Sequence, residues 1–541
     1  MKIRFFSLMA DGVTKNNRSL LGISVQYALN GKLTIRSLGL KELQKSHTGK
    51  YLCDVVQNTV EDYGCKMNQG IGFTTDNASN MGKMVSEINQ NVCETLEFDD
   101  IETISNDETA QSNEDIGVSG SKNVNDDDIE DLLQRMEALE CEEIQALLND
   151  SDDDDDEIQF DMFANYSQHF SIRPVFLNRI NCGAHTLQLV VKDGLNDLRP
   201  EHTNVIKLCR QFAKFVRRQT TMNELNYNEI PVKLPRSDCV TRWSSTYIML
   251  KGVLQCIDII TFFKNRVQLC NLLLSKIHII EELIEILEIF YEATMMSQKV
   301  NFTLSDFYKC WVVLKIKLSS LALQPSKTKL ETHLLKSLKK REDKIVDNNN
   351  LMQFAMVLDP RFCDEVIGSN LSNTKEDLLN IWNRMKAFKN QMEQVAADES
   401  TAGSSKSADI FAQYMKNKIK KRSQMQDSAI TDDEVISFID VFIQNEAAQI
   451  NDESWSIFQF WEDKKKDYSV LYELAMVIYA IVPTQVSVDR NFSVLGYIFN
   501  ERRSNLSQKS LEDILLIALN PDLFEFVNEE NINALISHSD D

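Results

Sequence analysis

No run of 18 or more apolar residues occurs in the 541-residue chain, so no membrane span is expected. The opening "MKIRFFSLMADGVT" lacks a long apolar core followed by a small-residue cleavage site, so it does not read as a signal peptide. Eleven cysteines are scattered from Cys53 to Cys363, and no two stand as Cys-x-x-Cys. This pattern supports neither a disulfide framework nor a zinc finger, and a reducing compartment, cytosol or nucleus, is the default. Basic residues are scarce in one segment. Residues 94–161 hold 26 Asp and Glu against only Lys122 and Arg135, a charge of −24. The whole chain carries −23, so everything outside that segment is left with +1. The acidity belongs to an insert and not to the folded body.

What remains is ordinary globular usage, 43% hydrophobic and 26% charged, with length for three or four average domains. "KIRFFSLMA" (2–10) predicts a buried strand ending at Asp11. "LLGISVQYAL" (20–29) and "KLTIRSLGL" (32–40) predict two more strands, with Asn30-Gly31 as a hairpin turn between them. Residues 47–64 have helical spacing and stop at Gly64. "GIGFTT" (70–75) is a short strand followed by Asp76 and another helix. This order is that of an α/β sheet.

Residues 94–168 interrupt it. The composition predicts an acidic, mostly disordered insert with one amphipathic helix near 128–149. The sheet pattern resumes with a strand over 173–180 and a helix over 181–195, within a segment of 169–199. From 200 to 465 proline is rare and the periodicity is helical, clearest over 278–298. A small-polar linker is read at 396–409, followed by the basic patch "YMKNKIKKR" (414–422). Residues 466–530 give the last helices, and 531–541 a tail.

Asp11 and Asp76 each follow an apolar strand. Were those strands adjacent and parallel, both carboxylates would leave the same sheet edge, where ligand chemistry in open α/β sheets sits. Carboxylates gathered there can hold paired Mg²⁺ ions for phosphoryl transfer. Taken singly, each has a plainer explanation. Asp76 suits a helix N-cap, and Asp11-Gly12 suits a turn.

Seven stretches occur in order: "DGVTKNNRSLLGISVQY", "HTGKYL", "TTDNASNM", "CGAHTLQLVVKDGL", "DCVTRWSSTYIML", "VLDPRF" and "VSVDRNFSVLGYIFNERRSNLSQKSLEDILLIALN". Together they resemble the hAT (hobo/Activator-type) DNA transposases and their derivatives, over residues 2–525 outside the insert. The resemblance implies a ribonuclease-H-like core sheet, residues 1–93 being its first part, interrupted by an all-α insertion domain. It implies three metal-binding acids, matching Asp11, Asp76 and Asp489, with Mg²⁺ or Mn²⁺ as cofactor. The third acid is normally Glu in Ser-Glu-Arg-x-Phe-Ser. Here it is Asp489 in "VDRNFS". Asp is one methylene shorter, and a misplacement of about 1 Å can cost roughly 100-fold in rate.

By the same resemblance, Trp243 matches a DNA-stacking aromatic, though a packed core Trp fits equally. Arg242 beside it, and Arg490 beside Asp489, are candidate DNA contacts. Cys182 and His185 match a Cys-x-x-His motif read as structural, since two ligands are too few for closed zinc. A BED-type zinc-binding module is expected to be absent. The resemblance implies a nuclear protein that binds DNA and forms a homodimer, or a higher oligomer, through 466–525. A basic protein partner for the insert is a further expectation. Three functions stay open: a transposon-derived DNA-binding protein with a weakened site, an active metal-dependent transposase cutting element ends, and a remnant without function.

Overall fold

In the computed structural model the described residues are 5–101, 178–402, 430–447, 455–499 and 506–520, apart from 16, 30, 231–233 and 240–242. The expected helix at 128–149, the disorder over 102–127 and 150–168, and the basic patch at 414–422 lie outside them. Contacts divide the chain into two units, residues 1–85 with 175–541, and residues 86–174.

The fold is mixed α/β, mostly helical, with one five-stranded sheet. Its strands are β1 (Phe6–Lys15), β2 (Arg18–Leu29), β3 (Lys32–Glu42), β4 (Gly70–Thr75) and β5 (Asn178–Asn181), in the order β3-β2-β1-β4-β5. The first three form an antiparallel meander, and β4 and β5 run parallel to β1. Gly31 turns the β2–β3 hairpin at φ +68°, a left-handed value that glycine adopts without strain. In β1, Phe6, Leu8, Met9 and Ala10 are all buried. A central strand covered on both faces reads as such a continuous apolar run.

Helix α1 (Gly49–Asp62) starts on Thr48, whose hydroxyl accepts from the Tyr51 amide, and Gly64 at φ +68° follows its end. Helix α2 (Ser79–Ile101) follows β4 and continues eight residues past position 93. The composition change at 94 therefore does not end the helix. Glu and Leu are good helix formers, so an acidic stretch can carry a helix on. Helix α3 (Gly183–Asn196) follows β5.

From Pro200 to Lys464 all regular elements among the described residues are helical. The long ones are α4 (Pro200–Val216), α5 (Gln219–Tyr227), α6 (Trp243–Leu254), α7 (Ile257–Phe263), α8 (Gln268–Ser275), α9 (Ile277–Ser297), α10 (Leu304–Ala322), α11 (Leu330–Glu342), α12 (Asn350–Val357), α13 (Gly368–Ala402), α14 (Asp432–Glu446) and α15 (Ile457–Lys464). Helix α9 buries Ile280, Leu283, Leu287 and Phe290 at helical spacing, as its periodicity predicts. Of the small-polar stretch at 396–409, the residues up to Ala402 belong to α13, and the rest lie outside the described residues. Within this body Asp359 is fully buried. Arg361 donates Nε to its Oδ1 at 3.0 Å and Nη2 to its Oδ2 at 2.7 Å, with its guanidinium 4.2 Å from the Trp455 ring.

The chain then returns to the sheet. Helix α16 (Ser469–Ile478) leads into α17 (Val486–Ile498) and α18 (Gln508–Leu519). Leu495, Phe499, Leu511 and Leu515 pack on Leu20 of β2 and Leu40 of β3. Ser507 caps α18 by accepting from the Ser510 amide at 3.1 Å, as its position before the helix predicts.

Candidate active site at the strand ends

The parallel ladder between β1 and β4 pairs Met9 with Thr74. That pair is the last of the ladder; Asp11 lies two residues beyond it in β1, and Asp76 is the first residue after β4. Asp11 differs from expectation in one respect. It lies inside β1, not at its end, because the strand continues to Lys15 by antiparallel pairing with β2, with Asp11 opposite Gly22. The apolar run stops at Ala10, but the backbone ladder does not. Asp11 therefore sits where β1 loses its β4 partner and keeps its β2 partner.

Both carboxylates are partly tied to the backbone. Asp11 Oδ1 accepts from the Gly12 amide at 2.9 Å, and Asp76 Oδ1 from the Ala78 amide at 3.1 Å. The turn after β4 is held from β5. Arg179 donates Nε to Thr75 Oγ1 at 2.9 Å and Nη2 to the Asp76 carbonyl at 2.8 Å. Asp76 lines a concavity of about 180 Å³ together with Gly12, Thr14, His47 and Asn80.

A distant segment crosses this edge. Ser7 Oγ donates to the Ala480 carbonyl at 3.1 Å, and Thr74 Oγ1 to the Val482 carbonyl at 2.6 Å. Gln485 donates its side-chain amide to the Ala10 carbonyl, and its backbone amide to Cys182 Sγ at 3.3 Å. These bonds start α17 beside Ala10 of β1 and Cys182 after β5. Val488 then packs with Met9 and Val482. It comes so close to β2 that a Cβ on Gly22 would stand 2.7 Å from its Cγ1. Asp489, the next residue, is the fourth of α17; its side chain lies outside the described residues. Among the described residues no group of three His, Cys, Asp or Glu is placed to hold a metal ion.

The remaining candidates fall elsewhere. Arg490 is exposed and donates to the Gln298 carbonyl at 2.6 Å. Trp243, first residue of α6, is 7% exposed, with its ring 6.5 Å from that of Phe290 in a T-shaped contact. Arg242 lies outside the described residues. Cys182 is buried at the N-cap of α3, and His185, one turn in, is half-buried. Sequence reasoning missed three residues of this edge. For Arg179 a signal exists, an arginine inside a short strand two residues before the Cys-x-x-His helix. For Gln485 and Gly22 none exists, because the partners that matter here, Ala10, Cys182 and Val488, are more than 300 residues away.

No curated protein matches the chain significantly. Residues 180–270, from β5 to α8, match the ZBED1 RNase-like helical domain. Residues 438–520, from α14 to α18, match the hAT family C-terminal dimerisation region. No single helix among the described residues is long and apolar enough to cross a membrane. The two matches stand in chain order, and together they support a hAT transposase-derived protein.

Proposed function

We propose that this chain is a nuclear, homodimeric DNA-binding protein of the hAT type, with a transposase site weakened at its third acid. The observation that supports the reading is the parallel β1–β4 ladder, after whose last pair Asp11 and Asp76 each follow two residues on, with Gln485 at the start of the Asp489 helix bonded to the Ala10 carbonyl. The strand order 3-2-1-4-5, with an antiparallel meander followed by two parallel strands, supports a ribonuclease-H-like core. The match at 180–270 supports it too.

Carboxylate oxygens are hard ligands and fit Mg²⁺ or Mn²⁺. Such ions, when bound, stabilise the attacking and leaving oxygens in phosphoryl transfer. The chain's own part is to fix the acids. Arg179 holds the turn of Asp76, β2 holds Asp11, and Gln485 anchors the helix of Asp489. No zinc role is assigned to Cys182, whose sulfur accepts the Gln485 amide.

Cleavage of element-end DNA by the full chain in Mg²⁺ and Mn²⁺ tests this. The expected order is Asp489→Glu above the parent, with Asp11→Ala and Asp76→Ala at background. A parent as active as, or more active than, Asp489→Glu removes the weakened-site reading and favours a working transposase. Absence of DNA binding by the parent removes the DNA-binding reading.

A further inference from the structure

A second concavity, of about 390 Å³, lies in the helical body between the start of α4, the α8–α9 junction and the loop before α11. Its volume is within the range of small-ligand sites, roughly 300–1,000 Å³. Lys276, Lys327 and Lys329 line it, and all three are exposed and without a carboxylate partner among the described residues. Arg199 lines it too and reaches Glu201 at 3.7 Å, the one acid in the wall. The wall thus carries an excess of three positive charges, in a chain whose non-insert part sums to about zero.

The loop that presents two of the lysines is fixed. Glu282 accepts from the Lys327 amide at 3.1 Å, the Thr328 amide at 2.8 Å and the Ser326 hydroxyl at 2.8 Å. Glu282 thus fixes the backbone that presents Lys327 and Lys329 while making no ion pair with either. Lys329 is held at φ +55°, a left-handed value uncommon for a residue with a side chain.

Two further features favour an anion. Helix α4 opens on the cavity with Arg199 as its N-cap and Pro200 at its first position, and no side chain caps it. Its amide dipoles add positive potential there. His202, in the first turn and lining the cavity, is 3% exposed; its Nε2 lies 3.4 Å from Glu201 Oε1, and its Nδ1 has no hydrogen-bond partner among the described residues. A buried ring nitrogen without a partner is costly in a finished site and is accounted for when a bound group or its water completes it.

We propose that this cavity is a phosphate-binding site, taking a group with at least two negative charges through Lys276, Lys327, Lys329 and Arg199. The phosphate comes either from a nucleic-acid backbone or from a free phosphorylated ligand. The site lies in the helical body and needs none of the strand-end acids, so it stands or falls apart from the proposed cleavage site.

Titration of inorganic pyrophosphate into the full chain, followed by calorimetry, is the test. One site per chain is expected, weakening as salt is raised. The triple variant Lys276→Gln, Lys327→Gln, Lys329→Gln is expected to bind at least tenfold more weakly with an unchanged melting curve, since all three positions are exposed. Glu201→Gln is expected to bind severalfold more tightly, because it removes the acid that lines the cavity. Displacement of pyrophosphate by a short DNA duplex supports the site with a backbone source. Binding that DNA does not displace supports it with a free ligand. No binding to the parent, or equal binding by the triple variant, overturns the proposal.

Discussion

Asn520 and Ser37, 483 residues apart, exchange two hydrogen bonds. The Ser37 amide donates to Asn520 Oδ1 at 3.1 Å, and Asn520 Nδ2 donates to the Ser37 carbonyl at 3.0 Å. Ser37 adjoins an irregularity of the β2–β3 ladder, where Ser24 pairs with Ser37 and Ile23 with Gly39. The extra residue, Leu38, interrupts the backbone pairing, and the Asn520 amide supplies the missing partners. The C-terminal helix is therefore fastened to the sheet by a contact specific to one side chain.

Replacement of Asn520 by Ala leaves a buried amide and a buried carbonyl unpaired. A loss of about 2–3 kcal/mol is expected, read by denaturant titration and by faster amide exchange in α18. Asn520→Asp keeps the acceptor but sets an oxygen against the Ser37 carbonyl, and should be no better than Ala at neutral pH. Wild-type exchange in Asn520→Ala would contradict the fastening.

Gly22 is the position that lets α17 lie on β2. Gly22→Ala would place a methyl 2.7 Å from Val488 Cγ1 and 3.2 Å from the Phe492 ring. Neither neighbour is the end of a flexible chain. An overpacking cost of about 1–3 kcal/mol is expected. Any metal-dependent cleavage should fall further than stability does, because the helix that shifts is the one bearing Asp489.

The match to a dimerisation region directs attention to the outer side of α18. Leu511 and Leu515 are buried against the sheet, whereas Ile514 and Ile517 are 39% and 51% exposed. The apolar face expected from the sequence is thus split between core and surface. Ile514→Asp with Ile517→Asp should leave the fold intact and lower the sedimentation coefficient of a dimeric parent to that of a monomer. Leu515→Asp should unfold the helix. A parent that sediments as a monomer at micromolar concentration would remove the dimer.

Asp359 and Arg361 offer a prediction about pH. Burial raises the Asp359 carboxyl above its ordinary range, and hydrogen bonds from Arg361 draw it part of the way back. Removing the arginine strands a buried carboxylate, at about 3–5 kcal/mol. An acid with a folded pKa above its unfolded value, near 3.9, holds its proton more tightly when folded. Its penalty is present above the folded pKa and fades as pH falls through it. Arg361→Met should therefore be most destabilised at neutral pH and recover on acidification, measured as the parent–variant difference in denaturant midpoint between pH 7.5 and 5. A difference that grows towards acid would contradict the assignment.

The elements legible in the sequence were those fixed by neighbours along the chain. Asn30-Gly31, the strand at 70–75, the α9 stripe and the Ser507 cap all follow from local steric and hydrogen-bonding rules. Asp11 is expected at a strand end, but β1 continues four residues past it. The reading followed apolarity, whereas β1 is extended by pairing with polar residues near Arg18. The helix boundaries at Ile101 and Ala402 were missed for a related reason, since polar composition does not by itself stop a helix. Of the clamps on the candidate site only Arg179 leaves a signal in the sequence. Gln485 and Gly22 act on groups brought near only by the fold.

The crossing of the 480–489 segment over the first strands also bears on synthesis. Asp76 leaves the ribosome 413 residues before Asp489. At roughly 5–20 residues per second the first two acids wait about 20–80 s for the third. During that interval Leu20 and Leu40 lack the C-terminal helices that cover them. A partly made or truncated chain therefore carries an uncovered apolar sheet face and an incomplete acid set. Synthesis of the last helices covers that face and adds the third acid of the proposed site, so fragments from early termination are expected to aggregate.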